Sequence, residues 1–280
     1  MANPVLSRPD AWTHNTPQAQ PYQQQGYDQG YGAQYGQPYT QQPSPTQPGM
    51  PSAPQSVERM TVDDVITKTA ITMGLMMIVA VAAATFLPLN LLLPVSLVAG
   101  VVSFIVPLVV AVRRRIGAAL AIVFAVIEGV FIGGFSMLFE SYYPGIVLQA
   151  VLGTFAAAGV TLAAFKFTGF RLSGKFRKIL MLSMIGFVVA SLLSFGLSVA
   201  GINLGLYAGM TGNVGMLAWL FAGLGVVLAV LSLVDDFQSI EQGVAMGAPA
   251  TESWRAAFGL TVTMVWLYTN LLRILSYIRR

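Results

Sequence analysis

The sequence has no cysteine, one histidine and few charged residues. Without cysteine, the chain can form no disulfide, no thiolate nucleophile and no cysteine-based metal site. The single histidine, His14, lies in a polar N-terminal segment, so neither a zinc site nor a Ser-His pair is expected in the rest of the chain. No Ser-Lys pair or GxGD motif of an intramembrane protease is legible either. We therefore expect no enzymatic activity and no bound cofactor.

Charged residues make up only 9% of the 280-residue chain, while hydrophobic residues make up 55%. A soluble domain carries about 25% charged residues, so this chain could not cover its surface in water. Seven apolar stretches are long enough to cross a hydrocarbon core of about 30 Å. The predicted spans are 65–86, 91–112, 117–139, 146–167, 179–200, 215–237 and 255–277. The sequence thus predicts an all-α polytopic membrane protein with seven transmembrane helices in a lipid bilayer.

Residues 1–56 differ in composition from the rest of the chain. Gln, Pro, Gly and Tyr dominate, and aliphatic residues are too few to form a core. We predict a disordered cytoplasmic tail over 1–56, without a cleaved signal peptide, and a membrane domain over 57–280. The tail is either a segment that binds other proteins or a solvated leader. The stretch SVERMTVDDVITKTA after it predicts an amphipathic helix capped by Thr61 and leading into the first span.

The basic residues give the expected orientation of the spans. Cytoplasmic loops carry an excess of Lys and Arg, and the net charge of +4 lies mostly in short loops, so we expect no binding to nucleic acid. One side of the predicted membrane domain collects Arg59, Lys68, Arg113, Arg114, Arg115, Lys166, Arg171, Lys175, Arg177, Lys178 and Arg255. The N-terminus is therefore predicted to be cytoplasmic and the C-terminus outside. The terminal pair Arg279-Arg280 argues mildly against this, and leaves a partial or re-entrant last span open.

Glu128 lies near the middle of the third predicted span. A charged side chain at that depth costs about 2.5–3.5 kcal/mol on insertion scales and is by default a candidate for function. Either Glu128 makes a structural hydrogen bond as a neutral group, or it forms part of an ion or proton path. Gly129, Gly133 and Gly134 beside it predict a close approach by another helix and a position inside the bundle.

Asp235 and Asp236 stand side by side at the end of the sixth predicted span. One interpretation is a helix boundary in cytoplasmic water. However, the following residues FQSIEQGV continue a helical pattern, which places both acids below the helix end. Neighbouring residues point about 100° apart on a helix, and two adjacent buried carboxylates cannot both ionise at low cost. This pattern predicts a latch that responds to protons, with Glu241 nearby.

The last predicted span carries the most polar pattern. Trp266, Asn270, Arg273 and Tyr277 recur at helical spacing and share one face. Asn270 and Arg273 are therefore candidates, together with Glu128, for the lining of an ion path.

The segments VDDFQSIEQGV, APATESWRAAFGLTVTMVWLYTNLLRILSYI and EGVFIGGFS resemble the Bax inhibitor motif membrane family in its bacterial YccA-like branch. The resemblance covers roughly residues 60–280. It implies six helices around a central seventh helix, a pH-sensitive calcium leak and a location in the bacterial plasma membrane. It also implies a membrane-bound AAA protease as a partner. Members close with aspartates on the sixth and seventh helices and an arginine on the second.

Carried over to this chain, the resemblance matches Asp236 to the sixth-helix aspartate. Thr261 stands where the second aspartate belongs. Its hydroxyl is expected to donate a hydrogen bond to Asp236, but it cannot share a proton, so a partner acid would have to be Asp235, Glu241 or Glu128. Asn270 is a further candidate for a substituted acidic position. The latch arginine is one of Arg113, Arg114 and Arg115.

Two functions from different classes follow. The first is a leak for calcium or protons, gated by Asp235, Asp236, Thr261 and Glu241 on the cytoplasmic side. No resident metal site is assigned. The second is a non-conducting regulator that binds other membrane proteins, such as a membrane-bound AAA protease, through its tail.

Overall fold

The computed structural model describes residues 58–112, 116–207 and 214–279. Over these residues the chain forms seven helices, each long and apolar enough to cross a membrane, which confirms the predicted fold class. They are α1 (Val62–Phe86), α2 (Leu89–Val112), α3 (Ala118–Tyr142), α4 (Ile146–Thr168), α5 (Gly174–Val199), α6 (Met216–Ala245) and α7 (Glu252–Ile278). The predicted tail and the three candidate arginines 113–115 lie outside the described residues.

Helices α1 and α6 both extend beyond the spans predicted from hydropathy. The stretch predicted as an amphipathic helix leading into the first span forms the beginning of α1, in one continuous helix of 25 residues. Its predicted cap is confirmed, since the Thr61 hydroxyl accepts a hydrogen bond of 3.1 Å from the Asp64 backbone N–H. Helix α6 continues past the predicted span end at residue 237 to Ala245, as the helical pattern of FQSIEQGV predicts. Helix α7 is unbroken over 27 residues, which favours a complete last span over a partial one.

The seventh helix lies at the centre of the bundle. It packs against α1, α3, α4 and α6, and more of its residues are buried than in any other described helix. Helix α2 packs on α3 and helix α5 on α6, so both are outer helices. This arrangement explains why α7 has the lowest mean hydropathy of the seven spans, 1.3, because its polar side chains face protein and not lipid.

The glycines of α3 allow the close packing that the sequence predicts. A Cβ atom at Gly133 would lie 2.6 Å from the Ala80 carbonyl oxygen of α1. A Cβ atom at Gly129 would lie 2.7 Å from the Met76 carbonyl oxygen, one turn away. Helices α1 and α3 therefore meet backbone to backbone along this stripe, as small residues permit in membrane bundles.

A short N-terminal segment is bound to the linker between α6 and α7. The Met60 N–H donates to the Ala248 carbonyl at 2.7 Å, and the Ala250 N–H donates to the Glu58 carbonyl at 2.8 Å. The Met60 side chain is 2% exposed and packs in the core cluster with Ile240. The segment before α1 is thus bound to the linker between α7 and α6, the helix that carries Asp235 and Asp236.

Candidate functional site

The two neighbouring aspartates of α6 are both enclosed by protein. Asp235 is 1% exposed and Asp236 is 0% exposed. Helix α6 continues to Ala245, so the pair lies about 14 Å below the helix end at 1.5 Å per residue. The interpretation of Asp235 and Asp236 as a boundary in cytoplasmic water is therefore wrong, because the helix runs on and neighbouring helices cover both side chains.

Asp235 faces α5. Its carboxylate forms an ion pair with the Nε of Arg177, whose side chain is 21% exposed. The same guanidinium donates a hydrogen bond of 2.6 Å to the Ser239 hydroxyl, one turn further along α6. Arg177 therefore joins the N-terminal end of α5 to two consecutive turns of α6. A buried charge that keeps a partner of opposite sign avoids most of the cost of leaving water.

Asp236 faces α7. The Thr263 hydroxyl donates a hydrogen bond of 2.7 Å to its Oδ2. The expectation that Thr261 fills this role is wrong, because the two threonines are two residues apart and point to different sides of the helix. Thr261 points to α1, where its hydroxyl lies 3.0 Å from that of Thr72. The adjacent aspartates thus hold two different helices, as their angular separation on α6 requires.

Glu241 does not belong to the buried acidic pair. It is exposed and forms an ion pair of 2.8 Å with Arg171 of the α4–α5 loop, which is also exposed. The expectation that Glu241 acts as a partner acid is therefore not supported by its position, since the helix has reached the surface there. Gln238 lies between Glu241 and the buried pair and binds the α4–α5 loop. Its side chain accepts a hydrogen bond from the Leu172 N–H at 2.9 Å and donates one to the Leu172 carbonyl at 3.3 Å.

Arg255, used above as a topology signal, is a buried structural residue. It is 2% exposed and pairs at 3.0 Å with Glu252, which is 4% exposed, on the first turns of α7. Nearby, Lys68 of α1 binds Asp64 at 2.6 Å and donates to the Ala250 carbonyl at 3.1 Å. These contacts fasten the α6–α7 linker to the beginning of α1.

Glu128 is buried, as the sequence predicts, with 5% of its surface exposed. It lines a cavity of about 710 Å³ between α2, α3, α5 and α7. Ser103 of α2 is its polar neighbour in this cavity. Thr263 lines the same cavity, so the residue that binds Asp236 also forms part of the cavity wall.

The predicted polar face of α7 is confirmed, since Trp266, Asn270, Arg273 and Tyr277 all line this cavity. The Arg273 guanidinium lies 4.4 Å from the centroid of the Tyr207 ring. The Asn270 amide donates to the Trp266 carbonyl at 2.8 Å and packs against Gly225 of α6. Asn270 therefore helps to hold α7 against α6, and Arg273 lies in the half of the cavity near the C-terminal end of α7.

Among the described residues, no group of three acidic or histidine side chains lies close enough to hold a metal ion. Calcium prefers six to eight oxygen ligands, several of them from carboxylates. The enclosed acids here lie in different places: Asp235 and Asp236 towards the α6–α7 linker, Glu252 in the first turn of α7 and Glu128 in the cavity.

A family model described as Bax inhibitor 1 like matches residues 3–280, almost the whole chain. The chain belongs to this family. This confirms the resemblance to the Bax inhibitor family but not the assignment to its bacterial YccA-like branch. The match begins at residue 3, so it also includes most of the N-terminal segment that the resemblance left out. No curated protein matches this Bax inhibitor 1-like chain.

Sequence reasoning missed the roles of Arg177 and Thr263. Lys175, Arg177 and Lys178 stand in the first turns of α5, where the helix dipole disfavours cations. Three cations at a helix N-terminus indicate that an acidic side chain on a neighbouring helix lies close to them. No comparable signal separates Thr263 from Thr261, because both fit the same polar pattern and only the packing of α7 decides which one meets α6.

Proposed function

We propose that this membrane protein is a leak pathway for cations, calcium or protons, and that it is closed at its cytoplasmic end by the acidic pair of α6. The observation that carries the proposal is the enclosure of Asp235 and Asp236, each held by a residue of a different helix. A charged pair so far below the helix end is costly unless its partners stay in place. The closed arrangement thus depends on the charge state of these side chains.

The expected direction of the pH response follows from the Arg177–Asp235 pair. A proton on Asp235 removes the negative charge that holds the guanidinium. Arg177 then loses its ion pair, and its side chain can turn towards water because it is already 21% exposed. Acidification on the cytoplasmic side is therefore expected to loosen α5 from α6 and to increase the leak.

The cavity supplies the rest of the proposed path. It extends from Thr263 at the level of the acidic pair, past Glu128, to Arg273 and Tyr277 near the outer end of α7. Opening the contact between Thr263 and Asp236 would join this cavity to the cytoplasmic side. Glu128, a buried acid about halfway along α3, would then attract cations into the path.

We place the protein in a bacterial plasma membrane with its N-terminus in the cytoplasm. The positive-inside rule supports this orientation, and so does the position of Arg279. Its guanidinium donates to the Pro144 carbonyl at 2.7 Å in the α3–α4 turn. A cation at the outer end of α7 therefore has a structural role, which weakens it as an argument for the opposite orientation.

The direct test is calcium flux from proteoliposomes over a range of pH. The wild type is expected to leak more as the cytoplasmic-side pH falls. Asp235→Asn and Asp236→Asn are expected to leak at every pH, because neither retains the full charge of the pair. The exposed acid variant Asp63→Asn serves as the control and should follow the wild type. If the wild type and both pair variants hold the calcium gradient at every pH, the leak proposal is wrong.

One observation favours a second candidate, a non-conducting regulator of other membrane proteins. The segment after the N-terminal tail is bound to the α6–α7 linker through Met60 and its backbone hydrogen bonds. A membrane protein partner that held residues 1–56, such as an AAA protease, would act on this linker. The regulator hypothesis predicts that deletion of residues 1–56 removes co-purifying partners and function, while ion flux stays unchanged.

A further inference from the structure

The cavity of the bundle has the size and lining of a small-molecule site. Its volume of about 710 Å³ falls within the roughly 300–1,000 Å³ typical of ligand pockets. Aromatic rings line it along its length, including four phenylalanines of α3. The aromatic residues of the lining include Phe104, Phe124, Phe131, Phe135, Phe139 and Trp266.

The inner half of the cavity has a single ionisable group, the Glu128 carboxyl. Among the residues that the structure describes, Glu128 has no basic partner, and its polar neighbour is the Ser103 hydroxyl. Phe124 and Phe131 stand one turn before and after it on the same helix, and Phe104 follows Ser103 on α2. A carboxyl group in a cavity lined by aromatic rings is an environment that attracts organic cations, through charge and cation–π attraction.

The other charged residue in the lining, Arg273, lies at a different depth. Glu128 is about halfway along α3, whereas Arg273 is close to the outer end of α7. The guanidinium is also occupied by the Tyr207 ring at 4.4 Å. The cavity therefore has an acidic inner part and a basic outer end, and a cation with an apolar body fits the inner part.

We propose that this cavity binds a lipophilic organic cation, an ammonium or phosphonium with an apolar body, with its charge at Glu128 and its body against the aromatic rings. The cavity lies between the two outer helices, since α2 packs on α3 and α5 on α6. A molecule seated there would occupy the space assigned above to the ion path. The binding site itself requires only the cavity, so it does not depend on conduction.

The test uses two probes of the same shape and opposite charge, tetraphenylphosphonium and tetraphenylborate. Equilibrium binding is measured on the full chain in nanodiscs. The phosphonium is expected to bind saturably, and Glu128→Gln is expected to weaken its affinity by at least about tenfold. Asp63→Asn removes the same charge from an exposed position on α1 and should bind like the wild type.

A second variant keeps the proposal testable if Glu128→Gln fails to fold. Phe131→Leu retains the charge and removes one ring beside it, so phosphonium affinity should fall several-fold. The proposal is overturned if the phosphonium binds no better than the borate, or if neither Glu128→Gln nor Phe131→Leu changes its affinity. Saturable binding of the borate that is lost in Arg273→Gln would assign the cavity to anions instead. Because no flux is measured, these outcomes leave the leak proposal to its own test.

Discussion

At the level of single residues, Asp235 and Arg177 show how burial changes the contribution of an ion pair to the free energy of unfolding. The carboxylate is 1% exposed, so a variant that removes its cation leaves a charge with little access to water. Removing one partner of a buried pair typically costs about 3–5 kcal/mol. Arg177→Gln is therefore expected to lower the free energy of unfolding by about 3 kcal/mol near neutral pH, with a smaller loss in acid, where Asp235 can take a proton.

The exposed pair of Arg171 and Glu241 offers a matched control for this prediction. Both side chains reach water, and such pairs contribute about 0–1 kcal/mol. The two variants are compared by denaturant unfolding in bicelles, where Arg171→Gln is expected to have little effect. Equal losses for Arg177→Gln and Arg171→Gln would show that Asp235 is not enclosed as described.

The two threonines of α7 can be separated by the same substitution. Thr263→Val removes a hydroxyl that donates to the buried Asp236 carboxylate. Loss of a hydrogen bond to a charged group costs about 1.5–3 kcal/mol, and the retained charge is then less well held. We expect Thr263→Val to change the pH at which the calcium leak is half-maximal.

Thr261→Val removes a contact to Thr72 of α1 and none to Asp236. It should leave the pH profile of the leak unchanged. A shift caused by Thr261→Val and not by Thr263→Val would restore the assignment that the family resemblance implies.

At the level of helices, the contact between α1 and α3 depends on missing side-chain volume. A Cβ atom at Gly133 would press on the Ala80 backbone, so the helices would have to separate. Overpacking of this kind costs about 1–3 kcal/mol, and Gly133→Ala should destabilise the protein by that amount. Gly159→Ala in α4 is the matched control, because a Cβ atom there meets nothing within 4 Å. Equal stability of the two variants, measured by unfolding in bicelles, would contradict the close approach.

The attachment of the N-terminal segment to the α6–α7 linker predicts a similar contrast between two methionines. Met60 is 2% exposed and packs in the core, whereas Met216 is 78% exposed. Met60→Ala should cost about 2–5 kcal/mol, as for other large-to-small changes in a core, and Met216→Ala should cost much less. Thermal unfolding of the two variants checks this, and an unaffected Met60→Ala would mean that the segment does not hold the linker.

At the level of the whole molecule, the sequence predicts the seven spans well because their apolar length is set by the bilayer. The burial of Glu128 and of the Asp235–Asp236 pair is also predictable, since the first is flanked by glycines and the second by a continuing helical pattern. The residues that bind these aspartates are not predictable from the sequence. Arg177 contacts Asp235 only because α5 packs on α6, and the rotation of α7 about its axis places Thr263, and not Thr261, next to Asp236. Such contacts join residues far apart in the chain, and hydropathy carries no information about them.

The central claim is that α5 is held to α6 by the charge on Asp235 and released when this charge is lost. The chain has no cysteine, so spin labels can be placed at the exposed positions Lys175 of α5 and Gln242 of α6 without background. Pulsed electron spin resonance in nanodiscs then gives the distance between the two helix ends. We predict a single short distance at neutral pH, a second and longer one in acid, and the longer one at both pH values in Asp235→Asn. One unchanged distance under all of these conditions would contradict the account.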